Sequence, residues 1–304
     1  MAIANSTVSG NLLSPVRPSL IEEIVYRLSI RHHRADNQSE LSHRPATFSM
    51  QAYSGWRTSG LRKNFDRFFS PAHVAGKCVL DFGCGGGELS FMASEYGAGG
   101  VIGTDLNARF VKEAIARNDR ANVEFRHETD DTRISLPDGS VDAILCFDVV
   151  EHIMSYREIF REWRRVLAPG GKVLIWWSVW WHPYGHHLQT MIPLPWIHAF
   201  MSDRSMLDVA ARVYDSPRFQ PRFWHFDEAG AKLPNPYRGA PFSNINKLTI
   251  PQFDREVGEA GLGISRKEVI PFGGSPAPLK RLLSRILPDA FCACTIYELT
   301  RPDE

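Results

Sequence analysis

The chain has 304 residues, 43% of them hydrophobic, and its 35 basic and 34 acidic side chains leave a formal charge of +1. That composition can bury a core sized for one large domain with additions or two modest ones, and it removes any global electrostatic case for nucleic acid or an anionic membrane surface. Five cysteines, an odd number placed mostly in apolar runs, fit a reducing, cytoplasmic setting in which free thiols act as small hydrophobes.

The opening "MAIANSTVSGNLLSPVRP" lacks the positive start and apolar stretch of a secretory signal and reads as a flexible polar leader. Ser19 and Glu22 then form a capping-box pattern, followed by Leu20, Ile21, Ile24, Val25 and Leu28 at helical spacing. After a polar interval, Leu61, Phe65, Phe68 and Phe69 repeat the helical period. Residues 1–72 are therefore expected to be a leader plus N-terminal helices, appended to a main domain over 73–300.

From Cys78 the period switches repeatedly. Short apolar runs "KCVLDF", "GVIGTD", "NVEFRH", "DAILCFDVV" and "GKVLIWW" alternate with helical patterns, which predicts a doubly wound, parallel α/β sheet. The stripe Ile153, Tyr156, Ile159, Phe160, Trp163, Val166 and Leu167 marks a helix that Pro169-Gly170-Gly171 should end. Residues 182–248 interrupt this rhythm with eight of the chain's 20 prolines and ten Phe, Trp or Tyr residues. An insertion of this length inside a domain is expected to be a functional lid or small subdomain. Beyond it, "IPQFDREVGEAGLG" and "PLKRLLSRIL" read as helices, and "ISRKEVIPFG" and "CACTIYEL" as strands pairing antiparallel at the sheet edge. Cys292 and Cys294 alternate along the last strand and should share one face as core, with no partner set for zinc. The longest apolar run, "VLIWWSVWW", is about half the length of a membrane-spanning helix.

The stretch "VLDFGCGGGELS" joins the first strand to a helix through four glycines. Such a turn lets backbone approach a ligand closely at a helix N-terminus. A phosphate-binding Walker loop needs Lys and Ser or Thr after its last glycine, where this chain has Glu88 and Leu89. The dinucleotide fingerprint begun at Gly83 meets Glu88, and begun at Gly85 it meets Ser90, a weak match. Further along, Asp105 ends the second strand, where a carboxylate can accept hydrogen bonds from both ribose hydroxyls of a nucleoside.

As written, "VLDFGCGGG" resembles motif I of the class I S-adenosylmethionine (SAM) dependent methyltransferases. "VIGTDLN", "LPDGSVDAILCFDVVEHI" and "VLAPGGKVLI" resemble, in order, later segments of the same family, most of all its ubiquinone and menaquinone biosynthesis branch. The resemblance implies a Rossmann-like, doubly wound, mostly parallel seven-stranded sheet with the N-terminal helical appendage and an insertion after the fifth strand. It implies SAM as cofactor, with Asp81 facing the aminocarboxypropyl ammonium and Gly83, Cys84, Gly85 and Gly87 shaping the turn. Asp105 would hold the ribose, Leu106 would pack on the adenine, and Asp130 or Thr129 would contact the adenine edge. Phe147 and Asp148 at the fourth strand end would also touch the cofactor. In the N-terminal helices, "YSGWR" offers Tyr53 or Trp56 for packing and Arg57 for the SAM carboxylate.

Methyl transfer from a sulfonium is an in-line displacement in which the protein chiefly positions the acceptor; a hydroxyl or ammonium acceptor also needs a base. His152 in "FDVVEHI" and His182 and His186 in "WWHPYGHH" are the candidates, with a structural role as the alternative for each. Pro183 and Gly185 argue against a helix that would pair His182 with His186 on a metal, and no metal is expected. The expected function is methyl transfer to an O, N or S atom of a small-molecule acceptor, a thioether needing no base, with no nucleic-acid partner and no membrane insertion. A SAM-binding sensor or scaffold is the first alternative, and a nicotinamide-dependent oxidoreductase the second.

Overall fold

The computed structural model describes residues 18–33, 50–219, 221, 225–227, 231–239, 245–273 and 278–303. The expected leader and most of the polar interval after the first helix lie outside these residues. The chain divides into two compact units, one made of residues 1–50 and 186–243, the other of residues 51–185 and 244–304.

The larger unit holds a seven-stranded sheet: β1 (Cys78–Phe82), β2 (Gly100–Asp105), β3 (Val123–His127), β4 (Val141–Phe147), β5 (Leu167–Trp177), β6 (Gly263–Pro271) and β7 (Cys292–Thr300). The spatial order is β3-β2-β1-β4-β5-β7-β6. The β1–β2, β1–β4, β2–β3 and β4–β5 pairs are parallel, and β7 runs antiparallel to both β5 and β6. Each strand read from the sequence is present, and the mostly parallel α/β sheet with an antiparallel final hairpin is as expected. The order reverses between β1 and β4, so a crevice opens at the carboxyl ends of these two strands.

Side-chain alternation divides the core cleanly. Leu80, Ile144, Cys146, Val173, Ile175, Trp177, Tyr297 and Leu299 face α5 (Tyr156–Val166) and α7 (Ile250–Glu259), where Phe160, Trp163 and Phe253 are fully buried. Val79, Ala143, Leu145, Phe147, Leu174 and Ile296 belong to the opposite cluster with α2 (Met50–Phe68), α3 (Glu88–Glu95) and α4 (Ala108–Arg117). Burying one Leu or Phe in this way contributes roughly 1.5–3 kcal/mol, so the two layers dominate the fold's stability. Leu61, Phe65 and Phe68 anchor α2, and Phe65 and Phe69 lie 6.2 and 5.6 Å from the Phe147 ring. This second N-terminal helix therefore belongs to the sheet unit, while the first belongs to the other unit.

Two local expectations need correction. Cys292 lies in the α5/α7 cluster and Cys294 in the α2/α3 cluster, on opposite faces. The β6–β7 register shifts between Ile270 and Pro271, so one extra residue, Ala293, rotates the strand and breaks the alternation. The helix before β5 ends at Val166, before Pro169-Gly170-Gly171, because Leu167 already pairs with Val141.

In the smaller unit, α1 (Leu20–His32) starts with the expected capping box: Ser19 Oγ accepts from Glu22 N–H, and Glu22 accepts from Ser19 N–H at 2.8 Å. Its apolar stripe is only partly used. Val25 is buried, but Leu20, Ile21, Ile24 and Leu28 stay exposed. The helix meets α6 (Asp203–Asp215), where Arg212 pairs with Glu23 at 2.6 Å and stacks 4.1 Å above the Tyr26 ring. Among the described residues no helix is long and apolar enough to cross a membrane.

Candidate functional site

The strand β1 ends in a turn whose glycines at 83, 85 and 87 all have positive φ, at 75°, 53° and 85°. L side chains rarely adopt this backbone. Space closes the matter at two of them: a Cβ on Gly83 would lie 2.6 Å from Val149, and one on Gly87 2.6 Å from Phe125. Around Gly85 no atom lies within 4 Å of the added carbon, so its side faces open space. The turn is tied to the next strand by Gly83 N–H and Cys84 N–H, which both donate to Thr104 C=O at 2.8 and 2.9 Å.

Asp105 sits at the end of β2 beside this turn. One carboxylate oxygen accepts from Gly85 N–H at 2.9 Å and the other from Asn107 N–H at 2.7 Å. Adjacent to it, Leu106 is 54% exposed, an apolar surface left open next to a polar group. One strand further out, His127 reaches Leu106 C=O at 3.2 Å. The following Thr129 and Asp130 are exposed, and Asp130 accepts from Thr132 N–H and Oγ at 2.8 and 2.5 Å. Those two bonds hold its carboxyl below the usual range.

Asp81 is 2% exposed and accepts from Ser90 Oγ at 2.6 Å. Burial pushes its carboxyl up to about 7, against the Ser90 bond and with help from the nearby charges of Asp105 and Glu88. An anion held there without a cation is costly, and a positively charged group would lower that cost. Cys84 is buried, and burial pushes its thiol far up, so it acts as a packing residue and not as a nucleophile.

At the end of β4, Phe147 turns its ring into the core. Asp148 follows with φ of 57°, unusual for a residue bearing a side chain, and its N–H donates to Trp176 C=O at 2.8 Å. Its carboxylate lies 3.6 Å from the Arg57 guanidinium. Asp148, with 32% of its side chain open, is pushed up to about 6 by burial, while Arg57 pulls the other way. Glu151 is 2% exposed, and one of its carboxyl oxygens has no hydrogen-bond partner. Burial, then the charge of Asp148, raises its pKa well above the carboxylate range. His152 is exposed on the same short 3-10 turn, Val150–His152.

The structure thus gathers Asp81, the glycine turn, Asp105, Asp148, Arg57 and the 150–152 turn at the carboxyl ends of adjacent strands. The other two candidate histidines follow β5. His182 lies in the sheet unit, its Nδ1 accepting from Tyr184 N–H at 3.1 Å and its ring 5.9 Å from that of Phe272. His186 opens the segment assigned to the other unit, fully buried, with Nδ1 accepting from Leu188 N–H at 3.0 Å and its ring 5.4 Å from that of His198. Among the described residues no group of three His, Cys, Asp or Glu side chains could hold a metal ion.

Several supporting residues carry no sequence signal. Glu88, weighed in the sequence only as a poor neighbour for pyrophosphate, accepts from Ser54 Oγ at 2.7 Å and Arg117 Nη1 at 2.8 Å. Arg117 also donates to Gly86 C=O at 3.1 Å, so α2 and α4 clamp the glycine turn. Asn246, 94 residues beyond His152 in the sequence, donates through Nδ2 to Val150 C=O at 2.6 Å and Ile153 C=O at 2.9 Å, and its N–H donates to Glu151 C=O at 2.8 Å. That side chain holds the turn that presents His152.

Comparison with known proteins bears on this arrangement. Residues 80–175 match the family described as "Methyltransferase domain". The chain is 32% identical over 149 residues to a ubiquinone biosynthesis O-methyltransferase of Xanthomonas oryzae, covering 46% of this chain and 60% of that protein. It is 37% identical over 102 residues to phosphoethanolamine N-methyltransferase 3 of Arabidopsis thaliana, covering 33% of this chain and 21% of that one. The chain thus spans less than two thirds of the length of these relatives. A solved Listeria monocytogenes structure, assigned as an SAM-dependent methyltransferase, superposes with a TM-score of 0.50 at 18% identity, covering 81% of this chain and 99% of that one. At that identity the likeness speaks for the fold. Over residues 80–175 the chain is thus similar to a methyltransferase-domain family, and it is similar over part of its length to proteins named as methyltransferases.

Proposed function

We propose that the chain transfers the methyl group of SAM to the oxygen or nitrogen of a small-molecule acceptor. The observation that carries this reading is the pairing of Asp105 with the Gly85 backbone beside a turn closed to side chains on two sides and open on the third. In this reading Asp105 accepts from the ribose hydroxyls, Leu106 packs on the adenine, and Asp130 or Thr129 meets its edge. Asp81, held buried near Asp105 and Glu88, faces the ammonium of the methionine part. Arg57 exchanges Asp148 for the methionine carboxylate. Gly83, Cys84, Gly87 and Phe147 contribute backbone and shape.

A cationic ligand is supported by the acids around the turn: Asp81, Asp105 and Asp148 outnumber Arg57, and no lysine stands where a phosphate would need one. SAM brings the reactive methyl on its sulfonium. The chain's part is to hold the acceptor atom in line with that bond, to exclude water, and to take a proton from a hydroxyl or ammonium acceptor. His152 is the proposed base, held by Asn246, with His182 and His186 as acceptor-side candidates on the 182–248 segment. The relatives are named for O- and N-methyl transfer, and those names support an acceptor that loses a proton. A cytoplasmic setting completes the proposal.

The test is a titration with SAM and S-adenosylhomocysteine, followed by a labelled-methyl assay against fractionated metabolite extract. Binding of both ligands with label appearing in a small-molecule fraction supports the reading. Tight binding with no label in any fraction would reverse it in favour of a sensor.

A further inference from the structure

At the other end of the sheet, Arg161, Arg164, Arg165 and Arg301 line a cavity of about 260 Å³ together with Asp138 and Ala260. Asp138 and Leu167 stand at the starts of β4 and β5, and Arg301 follows β7 where that strand pairs with the start of β5. The SAM crevice lies at the opposite ends, about 20 Å away along the seven residues of β4. The methyl-transfer reading gives these arginines no role.

Three of the four arginines come from one face of α5, at spacings of three and four residues, where like charges repel. A basic last turn suits the helix dipole, but the dipole accounts neither for Arg301, which arrives from another strand, nor for the cavity. The local acids neutralise only part of the charge. Arg165 is consumed by Glu162, at 2.8 and 2.6 Å, and by Asp138, at 2.7 Å. Arg301 gives one nitrogen to Leu167 C=O. Arg161 is exposed and has no ion-pair or hydrogen-bond partner among the described residues. The wall is shaped to admit Arg164: Gly261, with φ of 78°, lies where a Cβ would be 2.8 Å from the Arg164 Nε.

We propose that this cavity binds a multiply charged phosphoryl anion of the diphosphate class, taken from free solution. Guanidinium groups match phosphoryl oxygens with paired N–H donors, and with Arg165 taken by Glu162 and Asp138, Arg161 and Arg301 stand in the lining without an acidic partner among the described residues. Ala260 is the sole apolar residue of the lining, so paired donors and charge dominate the recess.

The experiment uses the full chain saturated with S-adenosylhomocysteine, so that the crevice is occupied. Inorganic pyrophosphate is titrated by calorimetry and by thermal shift, beside sodium chloride at equal ionic strength. Millimolar pyrophosphate should raise the Tm above the salt control, and orthophosphate should bind more weakly. Arg161→Gln should weaken pyrophosphate about tenfold while S-adenosylhomocysteine affinity stays constant. Arg161→Lys, which keeps the charge and loses the paired donors, should fall between. No rise beyond the salt control, unchanged affinity in Arg161→Gln, or binding only to phosphatidic acid vesicles and not to pyrophosphate would each overturn the proposal.

Discussion

Asp105 and Gly85 are joined by a hydrogen bond of 2.9 Å from the glycine N–H to the carboxylate, so the second strand end and the glycine turn are one structural piece. A bound ribose would compete for, or share, the same oxygen. Asp105→Ala should cut SAM affinity at least about a hundredfold, since each hydrogen bond to a charged group is worth about 1.5–3 kcal/mol. The Tm should change by only a few degrees, because Asp105 is half-buried and Asn107 can turn to water. Calorimetry showing wild-type affinity would remove Asp105 from the cofactor site.

The glycines of the turn should respond unequally. Gly87→Ala meets Phe125 at 2.6 Å on a backbone with φ of 85° and should destabilise the domain by about 2–4 kcal/mol. Gly85→Ala meets nothing within 4 Å, so only the backbone strain of about 1 kcal/mol remains. Its damage should fall on SAM binding instead. Denaturant unfolding of both variants, with and without S-adenosylhomocysteine, separates the two effects.

In the proposed reading, Asp81 should link protonation to cofactor binding. Its folded-state pKa of about 7 exceeds the unfolded value near 4, so the native ligand-free protein binds more protons between these limits. Its contribution is favourable below pH ~4 and is lost as pH rises through 7. Asp81→Asn should flatten this fall. A cationic ligand pulls the pKa down, so SAM binding near pH 6.5 should release protons, visible as a dependence of the calorimetric heat on buffer ionisation. Asp81→Asn should abolish that dependence.

Burial, with the charge of Asp148 adding to it, raises the Glu151 carboxyl well above its usual range and favours its protonated form. Glu151→Gln reproduces that form and should leave stability at pH 7 within about 1 kcal/mol of wild type. Wild-type stability should decline further than the variant's as pH rises, since the raised pKa makes deprotonation unfavourable in the fold. Equal pH profiles would show that Glu151 is already ionised.

His152→Ala should retain SAM affinity and lose turnover by about a hundredfold, the effect of removing a general base. Asn246→Ala, acting through the turn that carries His152, should lower turnover without changing SAM affinity. His182→Ala and His186→Ala are read the same way, with full activity in both returning them to structure. Single-turnover rates with each variant supply the check.

Much of this protein is legible along the chain because its signals are local. The switch from helical to strand period marks every strand from Cys78 to Thr300, though not α6 inside the 182–248 segment, and "VLDFGCGGG" needs only its own spacing to show a glycine turn between β1 and a helix. Asp105 is readable for the same reason: a strand end with a carboxylate is a one-dimensional pattern. The structure alone decides what depends on neighbours distant in sequence. Ser54 and Arg117 reach Glu88 from two other helices, Asn246 braces a turn about a hundred residues earlier, and Arg301 joins three arginines of α5 around one cavity. One added residue in β7 turned Cys292 away from Cys294, because strand alternation persists only while the register does. Packing also sets the proton affinities of Asp81 and Glu151: an acid's pKa depends on how completely the fold removes water from it, and that is a property of the assembled core.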